Sequence, residues 1–156
     1  MIDNEMFMRQ AIASSRESVR VGGGPFGAVI VKDGEVVATG SNKVTLHIDP
    51  TAHAEIMAIR EAAAKLKTFD LSGCVIYSSC EPCPMCLGAI YWAHIGKLYY
   101  GNSKADAQAI GFGDAFIYKE LELSPEKRQL HMEQLLPREA IEAFDAWKAK
   151  PDKIEY

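Results

Sequence analysis

The sequence Ser79-Cys80-Glu81-Pro82-Cys83-Pro84-Met85-Cys86 stands between a strand-like run and a helix-like run. The run before it, residues 74–78, is rich in β-branched and aromatic residues, which favour strands. A proline suits the first turn of a helix, and residues 83–94 then carry apolar side chains at helical spacing, with Leu87, Ile90 and Tyr91 predicted on the buried side. Residues 97–100 resemble a further strand. Two strands joined through a helix are predicted to be parallel neighbours.

The elements on either side extend this pattern. On the N-terminal side we predict a helix over 4–20, then strands over 26–32 and 35–39 joined by the hairpin signal Asp33-Gly34. A helix over 51–66 follows, with Asp49 as its N-cap. On the C-terminal side we predict helices over 103–110 and 115–121, a strand over 130–136 and a helix from Pro137. The order predicts an α/β fold, a three-layer α-β-α sandwich with a mixed central sheet, as one domain over residues 1–156.

Composition narrows the class of protein. The 156 residues are 48% hydrophobic and 24% charged, with a formal net charge of -4, which is typical of a globular domain. An acidic balance argues against a nucleic-acid partner, because such proteins carry a basic face. No apolar run is long enough to span a membrane, and the first ten residues lack the apolar core of a secretory signal. Four cysteines in this context indicate a reducing cytoplasm and favour metal binding over disulfides.

His53, Cys83 and Cys86 form a candidate metal site. One His and two Cys can bind Zn²⁺ through three bonds, which leaves the fourth position open for water. The two cysteines are three residues apart, so a helix presents both sulfur atoms on one face. Glu55 is two residues from His53 and does not share its helix face, so we expect it to carry a proton rather than bind the ion.

Cys80 offers a competing interpretation, because it forms a second Cys-x-x-Cys pair with Cys83. If Cys80 were the fourth ligand, the site would be closed and structural. A redox pair is a second alternative for Cys83 and Cys86, although the neighbouring prolines and the His-x-Glu sequence favour zinc. Cys74 is predicted to belong to the core.

Together these residues give the pattern H-x-E…P-C-x-x-C, the signature of zinc-dependent nucleobase deaminases. Over nearly its whole length the chain resembles the cytidine deaminase superfamily, and within it the bacterial guanine deaminases. The resemblance rests on five stretches: Gly24-Pro25-Phe26-Gly27-Ala28-Val29-Ile30, residues 49–55, residues 79–93, Gly111-Phe112-Gly113-Asp114-Ala115-Phe116-Ile117-Tyr118-Lys119-Glu120, and Glu155-Tyr156. The fourth and fifth are particular to guanine deaminases. Residues 122–140 match weakly, so no role is carried over to them.

The resemblance implies a hydrolase that converts guanine to xanthine and ammonia with one Zn²⁺ per subunit. It implies His53, Cys83 and Cys86 as ligands and Glu55 as the catalytic proton carrier. The substrate-binding residues implied by the family are Phe26, which stacks on the purine, Asn42, which binds its polar edge, and Trp92, Asp114 and Tyr156, which line and close the pocket. We also expect the backbone groups of Ala54 and Cys83, next to the metal in sequence, to orient the substrate.

The family also implies a homodimer in which C-terminal segments are exchanged, and we expect residues 137–156 to form that segment. Two alternatives stay open from the sequence. One is deamination of a related substrate, namely guanosine, cytosine or an adenosine in tRNA. The other is a zinc-stabilised domain without activity.

Overall fold

A computed structural model of the protein describes residues 2–156. The elements in chain order are α1 (Asn4–Arg20), β1 (Gly27–Lys32), β2 (Glu35–Ser41), α2 (Val44–His47), α3 (Ala54–Leu66), β3 (Cys74–Cys80), α4 (Pro84–Trp92), β4 (Lys97–Asn102), α5 (Lys104–Ala109), α6 (Ala115–Glu122), a 3-10 turn (Pro125–Lys127) and α7 (Pro137–Ala149). They form two compact units, the first ending at Ala115 and the second running from Phe116 to Tyr156.

The first unit is built on a four-stranded sheet with the order β2-β1-β3-β4. The hairpin predicted at Asp33-Gly34 joins β1 to β2, and β1 is also antiparallel to β3. Strands β3 and β4 are parallel, as expected for two strands connected through a helix. The sheet is therefore mixed, as the sequence predicts.

Helices cover both faces of this sheet. On one face, Phe7 and Ala11 of α1 pack with Val29, Val31 and Tyr77. On the other face, the alanines of α3 and the end of α4 pack against the remaining inward side chains, including Ala54, Ala58, Ala62, Ile30, Ile76 and Ile90. The three-layer α-β-α architecture is confirmed.

Helix α3 lies unusually close to strand β2. A Cβ atom placed on Gly40 would stand 2.2 Å from the carbonyl oxygen of Ala54 and 2.7 Å from the backbone nitrogen of Ala58. Only glycine fits at this point of the strand, since the helix backbone itself occupies the space of a side chain. The contact fixes the position of the first turn of α3 on the sheet.

The start of α3 differs from the prediction. The helix begins at Ala54, with His53 as its N-cap in an extended conformation, rather than near residue 51. Asp49 closes a local turn instead, because its carboxylate accepts hydrogen bonds from the backbone and hydroxyl of Thr51. His53 therefore projects from the end of the helix, whereas Glu55 lies inside it.

Two further expectations are wrong. Tyr91 is 73% exposed, because the buried side of α4 is defined by Cys86 and Ile90, and Tyr91 is turned about 100° away from Ile90. Residues 130–136 do not form a strand within the described chain. They belong to the second unit, whose described elements are helical, so that unit offers no strand with which they can pair.

The second unit presents a large apolar surface. Helix α7 is described in full and contains no buried residue. Phe144 is 72% exposed, and Ile141 and Trp147 on the same side are about half exposed. No helix among residues 2–156 is both long and apolar enough to cross a lipid bilayer.

Candidate active site

The topology brings the predicted site residues to one end of the sheet. Strand β3 ends at Cys80, directly before the cysteine-containing loop. Because β1 is antiparallel to β3, its first residue, Gly27, lies at the same end, where its backbone N–H donates to the Ser79 hydroxyl at 3.0 Å. Gly27 also pairs with Ser41, the last residue of β2. Phe26 and Asn42 flank these two positions, so both lie near the end of β3.

His53, Cys83 and Cys86 converge at this end. The Nδ1 atom of His53 is 3.4 Å from the Sγ atom of each cysteine. Within the described chain these are the residues whose ligand atoms group closely enough to bind a metal ion, all within 4.8 Å of one another. The cluster lies where the N-termini of two helices meet: His53 is the N-cap of α3, and Cys83 is the N-cap of α4.

The spacing of these atoms fits zinc. Tetrahedral bonds of about 2.1 Å to nitrogen and 2.3 Å to sulfur place the two ligand atoms about 3.6 Å apart. The observed separation of 3.4 Å between Nδ1 and each Sγ is close to that value. One imidazole and two thiols give three ligands and leave a fourth position, which is the donor set of a catalytic zinc site.

The environment favours the thiolate, the ligating form, at Cys83, whereas the hydrogen bond with Cys83 and burial raise the pKa of Cys86. Hydrogen bonding from the Cys86 thiol and from His53 lowers the pKa of Cys83 to about 4. The backbone N–H of Cys86 also points at the Cys83 sulfur, at 3.5 Å, as in any helix N-cap. A thiolate at the positive end of a helix dipole is the species that binds metal.

Glu55 is buried beside the cluster without joining it. Its side chain is 6% exposed and hydrogen-bonds with the Cys86 thiol. Burial raises the pKa of this carboxyl group, which suits a residue that exchanges protons near neutral pH. The arrangement can therefore hold an ion with three side chains and keep a separate carboxylate within reach of its open position.

Cys80 has a different environment. Its thiol contacts the backbone carbonyl of Ser103 at 3.9 Å, and burial raises its pKa to about 11. Among the described residues, the Cys80 sulfur is not one of the ligand atoms that group within 4.8 Å of one another, because it is turned toward Ser103 instead. The geometry thus favours three ligands and an open fourth position. Cys74 is buried in the core, as predicted.

Phe26, Asn42 and Ala54 surround the same region. Asn42 is 6% exposed, and its backbone N–H donates to the Phe26 carbonyl at 3.1 Å. The Oδ1 atom of its side chain accepts from the backbone N–H groups of Val44 at 3.1 Å and Gly24 at 3.4 Å. Ala54, the first residue of α3, is fully buried between the two polar residues His53 and Glu55.

Asp114 carries an unsatisfied acceptor. Its Oδ1 atom is buried, and no group in residues 2–156 donates a hydrogen bond to it. Burial raises the pKa of the carboxyl group, and the nearby Cys83 raises it further. A buried carboxylate oxygen without a donor costs free energy, so a ligand with N–H groups would satisfy it.

Phe112 is a site residue that the sequence did not single out. Its ring meets the Phe26 ring edge to face, with centroids 5.0 Å apart and planes at 88°. The Phe112 backbone N–H donates to the Ala107 carbonyl at 3.0 Å, which ties the loop to α5. Only its place two residues before Asp114, within the stretch 111–120, could have indicated this role.

Trp92 and Tyr156 are both largely exposed. Trp92 ends α4, about 12 Å along the helix axis from the first turn that presents the cysteines, and it is 68% exposed. Tyr156 lies in the second unit and is 74% exposed. Their roles in lining and closing the pocket stay predictions.

Comparison with known proteins places this site in a family. Residues 1–102 match the family model described as the cytidine and deoxycytidylate deaminase zinc-binding region. The chain belongs to this deaminase family. Its zinc-binding region supplies the cluster of His53, Cys83 and Cys86 described above.

Individual relatives agree. The guanine deaminase of Bacillus subtilis is 47% identical, over 99% of this chain and 100% of the relative. Its crystal structure superimposes with a TM-score of 0.96 at 48% identity and covers 99% of both chains. A structure of guanine deaminase from Nitrosomonas europaea gives a TM-score of 0.70 at 35% identity, over 73% of this chain and 66% of the other. The tRNA-specific adenosine deaminase of Aquifex aeolicus is 41% identical, over 62% of this chain and 64% of its own.

Proposed function

We propose that the protein hydrolyses guanine to xanthine and ammonia, a step of purine breakdown and salvage. The observation that carries this proposal is a three-ligand cluster with Glu55 buried beside it, in a chain that aligns from end to end with a guanine deaminase. The tRNA-specific relatives align over only about two thirds of the chain, so the full-length match favours the free base.

The zinc ion would be held by His53, Cys83 and Cys86. When bound, zinc acts as a Lewis acid and lowers the pKa of a coordinated water to about 7. Glu55 accepts the proton of the attacking water and delivers it to the purine ring. It then takes the proton of the hydroxyl group now bonded to C2 and transfers it to the amino group, so that the C2–N bond breaks, ammonia leaves and a carbonyl forms at C2. Its buried position keeps bulk water from competing for that proton.

Recognition of the base rests on complementary hydrogen bonds. Guanine presents N–H donors at N1 and at its exocyclic amine, and the unsatisfied Oδ1 of Asp114 is an acceptor for them. Asn42 binds the acceptor edge of the purine and Phe26 stacks on its face, while the backbone of Ala54 orients it beside the metal. Trp92 and Tyr156 complete and close the pocket. Adenine presents a different donor pattern, and an acidic partner selects against it.

The direct test is ammonia release from guanine, guanosine, adenine, cytosine and tRNA by the zinc-loaded protein. We expect release from guanine at the highest kcat/KM of the panel. If guanine yields no ammonia, or another substrate exceeds it, the proposed substrate is wrong.

A paired substitution tests the proton carrier. Glu55→Gln should retain zinc and lower kcat about 10²–10⁴-fold, the usual contribution of a positioned proton carrier. Glu61→Gln, on an exposed part of the same helix, is the matched control and should leave kcat unchanged. If Glu55→Gln keeps wild-type turnover at full zinc content, the mechanism is refuted.

We further infer that the protein is a homodimer in which residues 137–156 are exchanged between the two subunits. Residues 1–156 would then act as one functional domain, although they form two compact units. Two apolar surfaces support this inference. Helix α7 exposes Ile141, Phe144 and Trp147, and α4 has no charged residue yet exposes Tyr91 and Trp92. Neighbouring exposed apolar side chains of this kind mark sites where another protein chain binds.

Complementation distinguishes exchange from simple dimerisation. Co-expressed Glu55→Gln and Tyr156→Ala chains form mixed dimers. If tails are exchanged, each mixed dimer combines one intact core with one intact tail, and about a quarter of all sites recover activity. Each variant alone should be weakly active. If light scattering shows dimers but no activity returns, the tails are not exchanged.

We also propose that the protein is located in the cytoplasm. The four cysteines, all within the described residues, form no disulfide, and two of them are needed as thiolates. Such a site is maintained in a reducing compartment. Fractionation of the producing cells should place the activity with cytoplasmic markers, and recovery in an exported fraction would contradict it.

A further inference from the structure

The glycine-rich turn between α1 and β1 takes part in the site. Gly22-Gly23-Gly24 resembles a simple linker in sequence, yet Gly24 contacts both residues proposed to bind the base. Its N–H donates to the Asn42 side chain at 3.4 Å, and its carbonyl accepts from the Phe26 N–H at 2.9 Å. The backbone of Gly24 therefore holds both residues proposed to bind the base, through its N–H and its carbonyl group, and we call it the anchor.

A buried hydroxyl group on α1 holds this anchor. Ser18 is 1% exposed, and its Oγ donates to the Gly24 carbonyl at 2.6 Å. The same Oγ lies 3.3 Å from the Asn42 carbonyl, and the Ser18 carbonyl accepts from the Gly23 N–H at 2.7 Å. A Cβ atom on Gly23 would stand 2.5 Å from both the Ser18 hydroxyl and the Asn42 carbonyl, so the turn is packed tightly between them.

The anchor decides which end of the Asn42 amide is available. Two backbone N–H groups, from Gly24 and Val44, point at the same side-chain atom, and only the oxygen can accept from them. No described residue accepts from the Nδ2 group of Asn42. The amide is thus fixed with its acceptor occupied and its donor left for a ligand.

We propose that Ser18 is a positioning residue for substrate specificity that acts through Gly24 and Asn42. This role rests on the proposed function: Ser18 keeps Asn42 as a hydrogen-bond donor while Asp114 offers an acceptor, so the pocket would select a purine with one acceptor edge and one donor edge. A base with the carbonyl at position 6 meets that requirement. A base with an amine at the same position places two donors against each other.

Ser18→Ala tests the proposal, with Ser14→Ala as the matched control. Ser14 lies on the same helix, and its hydroxyl donates to the Gly40 carbonyl at 3.1 Å, so it also links α1 to the sheet but does not touch Gly24. Both variants should lose similar stability. Only Ser18→Ala should raise KM for guanine, about 5- to 10-fold, with kcat and zinc content little changed.

Coupling shows whether the effect passes through the amide. In an Asn42→Ala background, Ser18→Ala should raise KM by less than twofold, because the group it positions is absent. Equal KM shifts for Ser14→Ala and Ser18→Ala, or an undiminished shift in the Asn42→Ala background, would show that Ser18 is structural only and overturn the proposal.

Amide hydrogen exchange gives a readout that does not depend on turnover. Ser18→Ala should accelerate exchange of the Gly24 N–H about tenfold or more, whereas Ser14→Ala should leave it within twofold of the wild type. If the wild type releases no ammonia from guanine, the proposed function fails, and exchange at Gly24 still decides the role of Ser18. Unchanged exchange in Ser18→Ala would refute it.

Discussion

Gly40→Ala is a single-methyl change that should affect both stability and catalysis. The added Cβ would stand 2.2 Å from the Ala54 carbonyl oxygen, where ordinary contacts begin at 3.4 Å. The neighbouring atoms are backbone and cannot rotate away, so the start of α3 must move by about 1 Å. Overpacking of this kind costs about 1–3 kcal/mol of the free energy of unfolding.

The same movement would displace two residues of the proposed active site, because His53 and Glu55 lie on either side of Ala54 at the start of α3. A misplacement of about 1 Å can lower the rate about 10²-fold. We therefore expect Gly40→Ala to reduce kcat/KM for guanine about 100-fold per zinc-loaded site, together with a lower midpoint of urea unfolding.

Gly96→Ala is the control, since a Cβ there meets no atom within 4 Å. It should resemble the wild type in both assays. Measuring activity per bound zinc, at urea concentrations well below the unfolding transition, separates displacement of the site from simple loss of folded protein. If Gly40→Ala matches Gly96→Ala in unfolding midpoint and in kcat/KM, then α3 is not fixed by this contact and the reasoning is wrong.

Four further outcomes are expected. Phe112→Leu should raise KM for guanine roughly 2- to 10-fold by removing the edge-to-face contact with Phe26, whereas Phe112→Tyr should preserve it; equal values for both would contradict the contact's role. Asp114→Asn should lower kcat/KM for guanine by about 100-fold at unchanged zinc content, because a charged acceptor is replaced by a neutral amide; a change below threefold would exclude Asp114 from recognition. If the protein is the proposed homodimer, Phe144→Ser should shift it toward monomer in sedimentation equilibrium, with Lys148→Ser at an exposed position of the same helix as control; an unchanged dimer in Phe144→Ser would exclude this side chain from the interface. Chelation of zinc should abolish ammonia release while far-UV circular dichroism stays largely native, and added Zn²⁺ should restore activity; complete unfolding on chelation would indicate a structural site instead.

The metal centre follows from the sequence because its determinants are local. Cys83 and Cys86 share a helix face by their spacing alone, and the His-x-Glu pair can be recognised without knowledge of the fold. The parallel pairing of β3 with β4 follows in the same way from the intervening helix. What brings His53 to the cysteines is the docking of two helix ends at one end of the sheet, which is a tertiary property.

The remaining features depend on contacts that no local pattern encodes. Ser18 and Phe112 matter because of groups that are distant in sequence, the Asn42 backbone and the Phe26 ring respectively. The strand expected over residues 130–136 fails for a similar reason. Its apolar side chains are compatible with a strand, but pairing needs a neighbouring strand, and the second unit has none among its described elements.

The boundary at Ala115 separates the unit that contains the metal-binding residues from the C-terminal unit. The metal-binding residues, the proposed proton carrier Glu55 and Asp114 all precede it, and the second unit begins at the next residue. The family model, too, ends before this point, at residue 102. Such a junction suits recombination, because replacing the segment after Ala115 with that of a relative would leave the metal ligands of the first unit unchanged. Chimaeras joined there would test whether the second unit influences substrate choice.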